Sequence, residues 1–245
     1  VEPPVVTSAV RGLFITGTGT GVGKTEVAAA LARLLANSGV AVRVRKPVES
    51  GCLVADGVLV PADAMRLREA ARCRDPLDVV CPYRLRTAIS PERAAALESV
   101  ELDLARLERA CRHDLGPNDF VLVEGAGGLL SPLARDGLGA DLAVRLALPV
   151  LLVVADRLGC INHTLLSVEA LAARGLVLAA VVLNRMDAAG AAEMNNAADL
   201  AKWLGRPVVC VPRSAPCGAP WAAMLPHLTA LARQLRPVPA SEHTA

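Results

Sequence analysis

Gly17-Thr18-Gly19-Thr20-Gly21-Val22-Gly23-Lys24-Thr25 decides how the rest of this chain is read. The stretch fits the phosphate-binding loop pattern G-x-x-x-x-G-K-[ST]. Gly17 takes the first fixed position and Val22 lengthens the loop by one residue; the strict spacing begins at Thr18. The glycines let the backbone turn its N–H groups inward and let a phosphate come close. Lys24 is placed for the β- and γ-phosphates, and the Thr25 hydroxyl for Mg²⁺. The helix that starts here adds the positive end of its dipole.

The flanks supply the setting that the loop requires. Leu13-Phe14-Ile15-Thr16 is a short apolar run of β-formers ending where the loop begins, and residues 26–35 are rich in Ala and Leu at helical spacing. Further out, strands are predicted at 11–16, 41–46, 119–124, 149–155, 177–183 and 206–211. Helices are predicted at 24–37, 62–72, 92–112, 139–147, 162–174, 190–204 and 219–235. This alternation implies an α/β fold: a mostly parallel sheet with helices on both faces, and ligands bound beyond the carboxyl ends of the strands. Residues 11–235 read as one domain, with 1–10 and 236–245 as flexible termini.

Composition narrows the function. A net charge of +2 over 245 residues argues for neither nucleic acid nor a membrane surface. Apolar stretches are interrupted by Arg, Asp or Glu before they reach spanning length. The 7 cysteines form no C-x-x-C pair, which favours free thiols in a reducing cytoplasm over disulfides or zinc. Among the 26 basic residues, lysine occurs only at Lys24, Lys46 and Lys202. Two of these fall in glycine-containing motifs at strand ends, where a compact ammonium suits a moving phosphoryl group better than a guanidinium fork does.

The remaining motifs also follow strands. Lys46-Pro47-Val48-Glu49-Ser50-Gly51 puts Lys46 at a strand tip on the same side as Lys24, unless it is simply a solvated strand end. Phe120–Val123 runs into Glu124-Gly125-Ala126-Gly127-Gly128, the usual setting for a carboxylate on the magnesium side of a phosphate loop. Asp63 opens a helix; it reads equally as a favourable dipole charge or as a further Mg²⁺ oxygen. Gly159-Cys160-Ile161-Asn162-His163 begins another helix, whose free N–H groups can take an anion. Cys160 and His163 match a nucleophile–base pair by type only, and with no third partner readable, a surface or packed His163 is preferred. Asn184-Arg185 ends a strand. Asn184 offers a donor and an acceptor for a nucleobase edge, or forms a turn.

Taken together these motifs resemble the dethiobiotin synthetase family of P-loop proteins, from Gly12 to about Pro212. The family is similar to the nitrogenase-iron-protein and MinD-like branch and is typically homodimeric. The resemblance implies a three-layer α/β/α sandwich and an ATP- and Mg²⁺-dependent ring closure of 7,8-diaminononanoate with CO₂. It implies catalytic roles for Lys24, Lys46 and Thr20. Nucleotide contacts would come from Gly21, Val22, Gly23, Lys24, Thr25, Glu124, Asn184 and Pro212, and a Mg²⁺ shell from Thr25, Asp63 and Glu124. Substrate contacts would come from Ser50, Gly127, Cys160, Ile161 and Asn162, with the helix at Gly159–Asn162 receiving the substrate carboxylate across a dimer. Thr87–Arg93 resembles a loop near the diamine. Two departures stand out: Gly21 where many relatives have an acid, and Arg185 where many have Asp. The second predicts weak discrimination among bases. A partitioning ATPase of the MinD-like branch would carry an extra early lysine where Thr18 stands and a basic amphipathic tail. A glutamine-dependent ligase would need a second domain.

Overall fold

A computed structural model describes residues 11–185, 194–213 and 219–236. Strand β1 (Arg11–Gly17) passes through the glycine loop into α1 (Lys24–Asn37), and the chain returns as β2 (Val42–Arg45). An excursion follows: β3 (Val48–Ser50), the hairpin of β4 (Leu53–Ala55) and β5 (Val58–Val60), α2 (Ala62–Ala71), α3 (Leu77–Val80) and β6 (Tyr83–Leu85). Next come α4 (Pro91–Leu97), α5 (Leu104–Arg112), β7 (Phe120–Glu124), the small pair β8 (Pro132–Ala134) and β9 (Gly137–Leu138), and α6 (Gly139–Leu146). The last third is β10 (Val150–Asp156), α7 (Cys160–Ala172), β11 (Leu178–Arg185), α8 (Asn196–Leu204), β12 (Val209–Val211), a 3₁₀ turn (Ala222–Met224) and α9 (Leu225–Leu235).

Six strands form the main sheet in the order β12-β11-β10-β1-β7-β2, and every pairing in it is parallel. Side chains alternate across this sheet, so its two faces build separate cores. Leu13 and Ile15 of β1 join Val44, Leu122 and Val153 under α1, α2 and α9. Phe14, from the same strand, joins Val121, Val123 and Val150 under α4, α5 and α6. Leu152, Val154, Val181 and Leu183 meet α7 and α8. The result is the expected three-layer sandwich. The chain leaves β1 to one side for β2 and β7 and crosses to the other for β10, so strand order reverses beside the loop. Such reversals open a crevice at the carboxyl ends of the strands.

Helix α1 follows from its composition. Ala28, Ala29, Ala30 and Ala32 are fully buried, and their small side chains let the helix lie close on the sheet. It ends at Ser38 and at Gly39, whose φ is +84°.

Three expectations change. The helix predicted over 92–112 is two helices, α4 and α5. Ser99 adopts φ +54°, and Asp103 starts the second helix by accepting the Arg106 N–H at 2.8 Å. The helix predicted from 219 starts at Leu225, with Pro226 in its first turn, where a missing N–H does no harm. Residues 190–193 of the helix predicted over 190–204 lie outside the described residues, as do 1–10 and 237–245; its described part begins at Asn196. Among the described residues no helix is long and apolar enough to cross a membrane.

Candidate active site

The carboxyl ends of the strands enclose a cleft of about 490 Å³. Thr20, Gly21, Gly23, Lys24 and Thr25 come from the loop after β1 and the start of α1. Lys46 follows β2, Ser50 ends β3, Asp63 opens α2, Glu124 ends β7, and Ala126 and Gly127 follow it. Asn184 and Arg185 end β11. Residues far apart in sequence meet here because each stands at the same end of the sheet.

Glu124 is the electrostatic centre. It is 1 % exposed, and its Oε1 accepts from Lys46 Nζ at 2.6 Å and from Thr25 Oγ1 at 2.9 Å. Its other oxygen, Oε2, is buried with no hydrogen-bond partner among the described residues. Lys46 also lies 3.5 Å from Asp63 Oδ2. Burial alone would lower the Lys46 pKa; Glu124 and Asp63 outweigh it and hold the ammonium above its ordinary range. Burial pushes the Glu124 carboxyl upward while Lys46 opposes it.

Lys24 has the opposite environment. Burial, then the Lys46 charge, pull it from 10.5 down to about 8. Its Nζ donates to Gly19 O at 3.1 Å, so the side chain arches back over its own loop. An ammonium with so little compensation is placed to gain from an arriving anion.

Loop geometry explains Gly23. Its φ is +90°, and a Cβ there would lie 2.1 Å from Asn184 Nδ2. That same amide donates to Val22 O at 3.0 Å, tying the loop to the end of β11.

Thr25, Asp63 and Glu124 together offer a hydroxyl and two carboxylates, the hard oxygens that Mg²⁺ prefers. The orphaned Glu124 Oε2 fits such an ion, because a buried acceptor left unpaired is costly. Among the described residues no cluster of three or more His, Cys, Asp or Glu could hold a metal by itself.

The structure brings most of the expected site residues together: Thr20, Gly21, Gly23, Lys24, Thr25, Lys46, Ser50, Asp63, Glu124, Gly127 and Asn184 all line the cleft. Others stand elsewhere. The Val22 side chain is 1 % exposed and belongs to the core, so only its backbone is available to a nucleotide. Pro212 does not line the cleft, whereas Arg213 does. Cys160 packs with Leu152, Val154 and Leu183 away from this cleft, and its N–H donates to Arg157 O at 3.0 Å. Ile161 and Asn162 are outside the cleft. His163, on the same turn, lines a neighbouring cavity of about 480 Å³ that shares Thr20 with the first.

Glu26, Glu49 and Arg213 line the cleft without having been singled out from the sequence. Glu49 lies in the short motif that follows Lys46, but its own spacing did not mark it. Arg213 directly follows Pro212, which the resemblance gave as a nucleotide contact, but Arg213 itself carried no signal.

Loop, strand-end carboxylate and buried lysines define a P-loop nucleoside-triphosphate enzyme. The family model described as "AAA domain" matches residues 11–221. The ATP-dependent dethiobiotin synthetase BioD of Anaeromyxobacter sp. (strain K) is 49% identical over 71% of this chain and 77% of its own length. The protein of that name from Ruthia magnifica subsp. Calyptogena magnifica is 46% identical over 72% of this chain and 80% of its own. This chain belongs to the ATP-dependent dethiobiotin synthetase family. Among solved structures, the MinC:MinD cell division protein complex of Aquifex aeolicus matches with a TM-score of 0.59 and 18% identity, over 94% of this chain and 98% of that one. A ParA family ATPase from Chlorobium tepidum TLS matches with a TM-score of 0.54 and 15% identity, over 94% and 100%. Those likenesses concern the fold alone.

Proposed function

We propose that this chain closes the ureido ring of dethiobiotin from 7,8-diaminononanoate and CO₂, converting ATP to ADP and phosphate. One substrate amine adds to CO₂ and loses a proton, giving a carbamate. A carbamate oxygen attacks the γ-phosphorus and ADP leaves, giving a carbamic–phosphoric anhydride. The second amine attacks the carbamoyl carbon, phosphate leaves, and the ring closes. The observation that carries this reading is the convergence of Lys24 and Lys46 on one cleft, with Lys46 paired to Glu124 at 2.6 Å.

Each residue then has a task. The loop N–H groups and Lys24 cradle the phosphates. Lys46 lies between the carbamate and the transferring phosphoryl group and offsets the charge that both bring, which is most of what phosphoryl transfer asks of a protein. Thr20 contacts phosphate, and Ser50 and Gly127 border the diamine. Thr25, Asp63 and Glu124 would hold Mg²⁺, which when bound neutralises phosphate charge. Asn184 and the backbone before Arg213 face the base.

The reading extends to a homodimer in which the start of α7, at Cys160–Asn162, receives the carboxylate of the diamine held by the partner. Leu158 and Leu166 on either side of that turn are 87% and 56% exposed, which supports it. Residues 11–235 act as one domain in this reading, and the cytoplasm is its compartment, on the strength of free Cys52, Cys73, Cys81, Cys111, Cys160 and Cys210. Purified protein supplied with diaminononanoate, bicarbonate, Mg²⁺ and ATP should form dethiobiotin in step with phosphate. ATP hydrolysis that ignores the diamine, with no dethiobiotin, would sink the proposal; light scattering tests the dimer.

A further inference from the structure

Glu49 has no part in the chemistry above, yet it is 7% exposed and lines the cleft. What it holds is the start of α2. The N–H groups of a first helical turn need acceptors, and a Ser, Thr, Asp or Asn at the cap position commonly supplies one. Pro61 caps α2 and supplies none. The acceptors come instead from strand β3: Glu49 Oε1 accepts the Asp63 N–H at 3.0 Å, and Oε2 accepts the Ala64 N–H at 3.0 Å. A carboxylate there also meets the positive end of the helix dipole.

Asp63 needs such support. Its side chain is 37% exposed, with Lys46 Nζ 3.5 Å from one oxygen and Arg66 Nη1 3.6 Å from the other. Neither contact is short enough to fix the carboxylate. Its main chain is fixed by Glu49. Strand β3 is itself anchored on its other side, where Val48 lies in the core and Ser50 Oγ donates to Ile89 O at 2.7 Å.

We propose that Glu49 is a positioning residue: by clamping the N–H groups of Asp63 and Ala64 it sets where the Asp63 carboxylate stands relative to Lys46 and Glu124, and so sets the affinity of the cleft for a divalent cation beside the nucleotide. This rests on reading Asp63 as a metal ligand.

The test measures Mn²⁺ binding to ADP-loaded protein by electron paramagnetic resonance, and ADP binding without metal by calorimetry. The set is the wild type, Glu49→Ala, Glu49→Gln, Asp63→Asn and the Glu49→Ala/Asp63→Asn double variant. Glu49→Ala and Asp63→Asn should each weaken Mn²⁺ by about tenfold, as loss of groups that orient ligands does. The double variant should be no weaker than Asp63→Asn alone, because Glu49 acts through Asp63. Glu49→Gln keeps one acceptor oxygen and should fall between; should Glu49→Ala not fold, this variant carries the test. Metal-free ADP affinity should stay constant throughout. Wild-type Mn²⁺ affinity in Glu49→Ala, with Asp63→Asn weakened, overturns the positioning role and leaves a helix cap. Additive losses in the double variant overturn it as well, by making Glu49 a ligand in its own right. Unchanged Mn²⁺ affinity in Asp63→Asn removes Asp63 from the metal shell and both readings with it.

Discussion

Lys24 and Lys46 share a cleft but not an environment, and their substitutions should differ accordingly. Among the described residues Lys24 donates only to its own loop, so Lys24→Ala should leave the melting temperature near that of the wild type. Its turnover should fall by at least about a hundredfold, the scale of losing one charge-stabilising donor in a buried site. Near-normal dethiobiotin formation would exclude Lys24 from the chemistry. Lys46 is packed against Glu124, and its ammonium is a compact charge there. A guanidinium is planar and larger, so Lys46→Arg should lower kcat sharply and destabilise the fold too; wild-type turnover would end the argument from lysine placement. Arg185 and Arg213 also line the cleft. A guanidinium only donates and cannot accept from the adenine amino group. Comparable kcat/KM for ATP, GTP and CTP is expected, with Arg185→Asp raising the preference for ATP. A wild type already selective for ATP by several orders of magnitude would show that other groups read the base.

Strand β2 lies at an edge of the main sheet, and charge as well as pairing holds it there. Arg45 is fully buried, with Nη1 2.6 Å from Asp75 Oδ2 and Nη2 donating to His113 O at 2.7 Å. Arg43 reaches the other Asp75 oxygen at 3.0 Å. Asp75→Ala leaves the Arg45 guanidinium buried without its counter-charge, which should cost about 3–5 kcal/mol in chemical denaturation. Less than about 1 kcal/mol would mean that water reaches the pair, as it does for exposed ion pairs. None of this network was readable in advance, because an alternating Val-Arg-Val-Arg looks like a half-solvated strand until Asp75 is brought to it. The main elements were readable: α1 from its helical spacing, and β1, β7 and β10 as apolar runs that end in a glycine or a charge. Of the smaller ones, the β4–β5 hairpin carried a signal that went unused. Its turn is Asp56-Gly57, with φ +50° and +78°, a pair of residues suited to a tight hairpin. Asp103 likewise announced the break between α4 and α5. The Glu49 clamp on α2 had no local signature, since its partners lie beyond an intervening hairpin.

At the scale of the whole molecule, the sheet decides where a ligand binds and the side chains decide which. The MinD and ParA structures share the topology at 18% and 15% identity, and topology alone would not separate a partitioning ATPase from a ligase. The 49% identity to an ATP-dependent dethiobiotin synthetase makes that separation. Lys46 and Glu124, which share the cleft, were visible as motifs because they follow strands. The sheet order has a further consequence for how the molecule comes into being. β1 is the first described strand to leave the ribosome, yet it is hydrogen-bonded between β7 and β10, starting at Phe120 and Val150. Contacts so distant along the chain form slowly. The phosphate loop therefore hangs from an unpaired apolar strand through much of synthesis, an exposed state of the kind that chaperones shield. Stalled nascent chains that end before β10 should neither retain immobilised ATP nor resist protease around the loop. Chains long enough to release β10 and β11, which supplies the Asn184 tie to Val22, should gain both together. ATP retention by the shorter chains would show that the loop can form without its sheet.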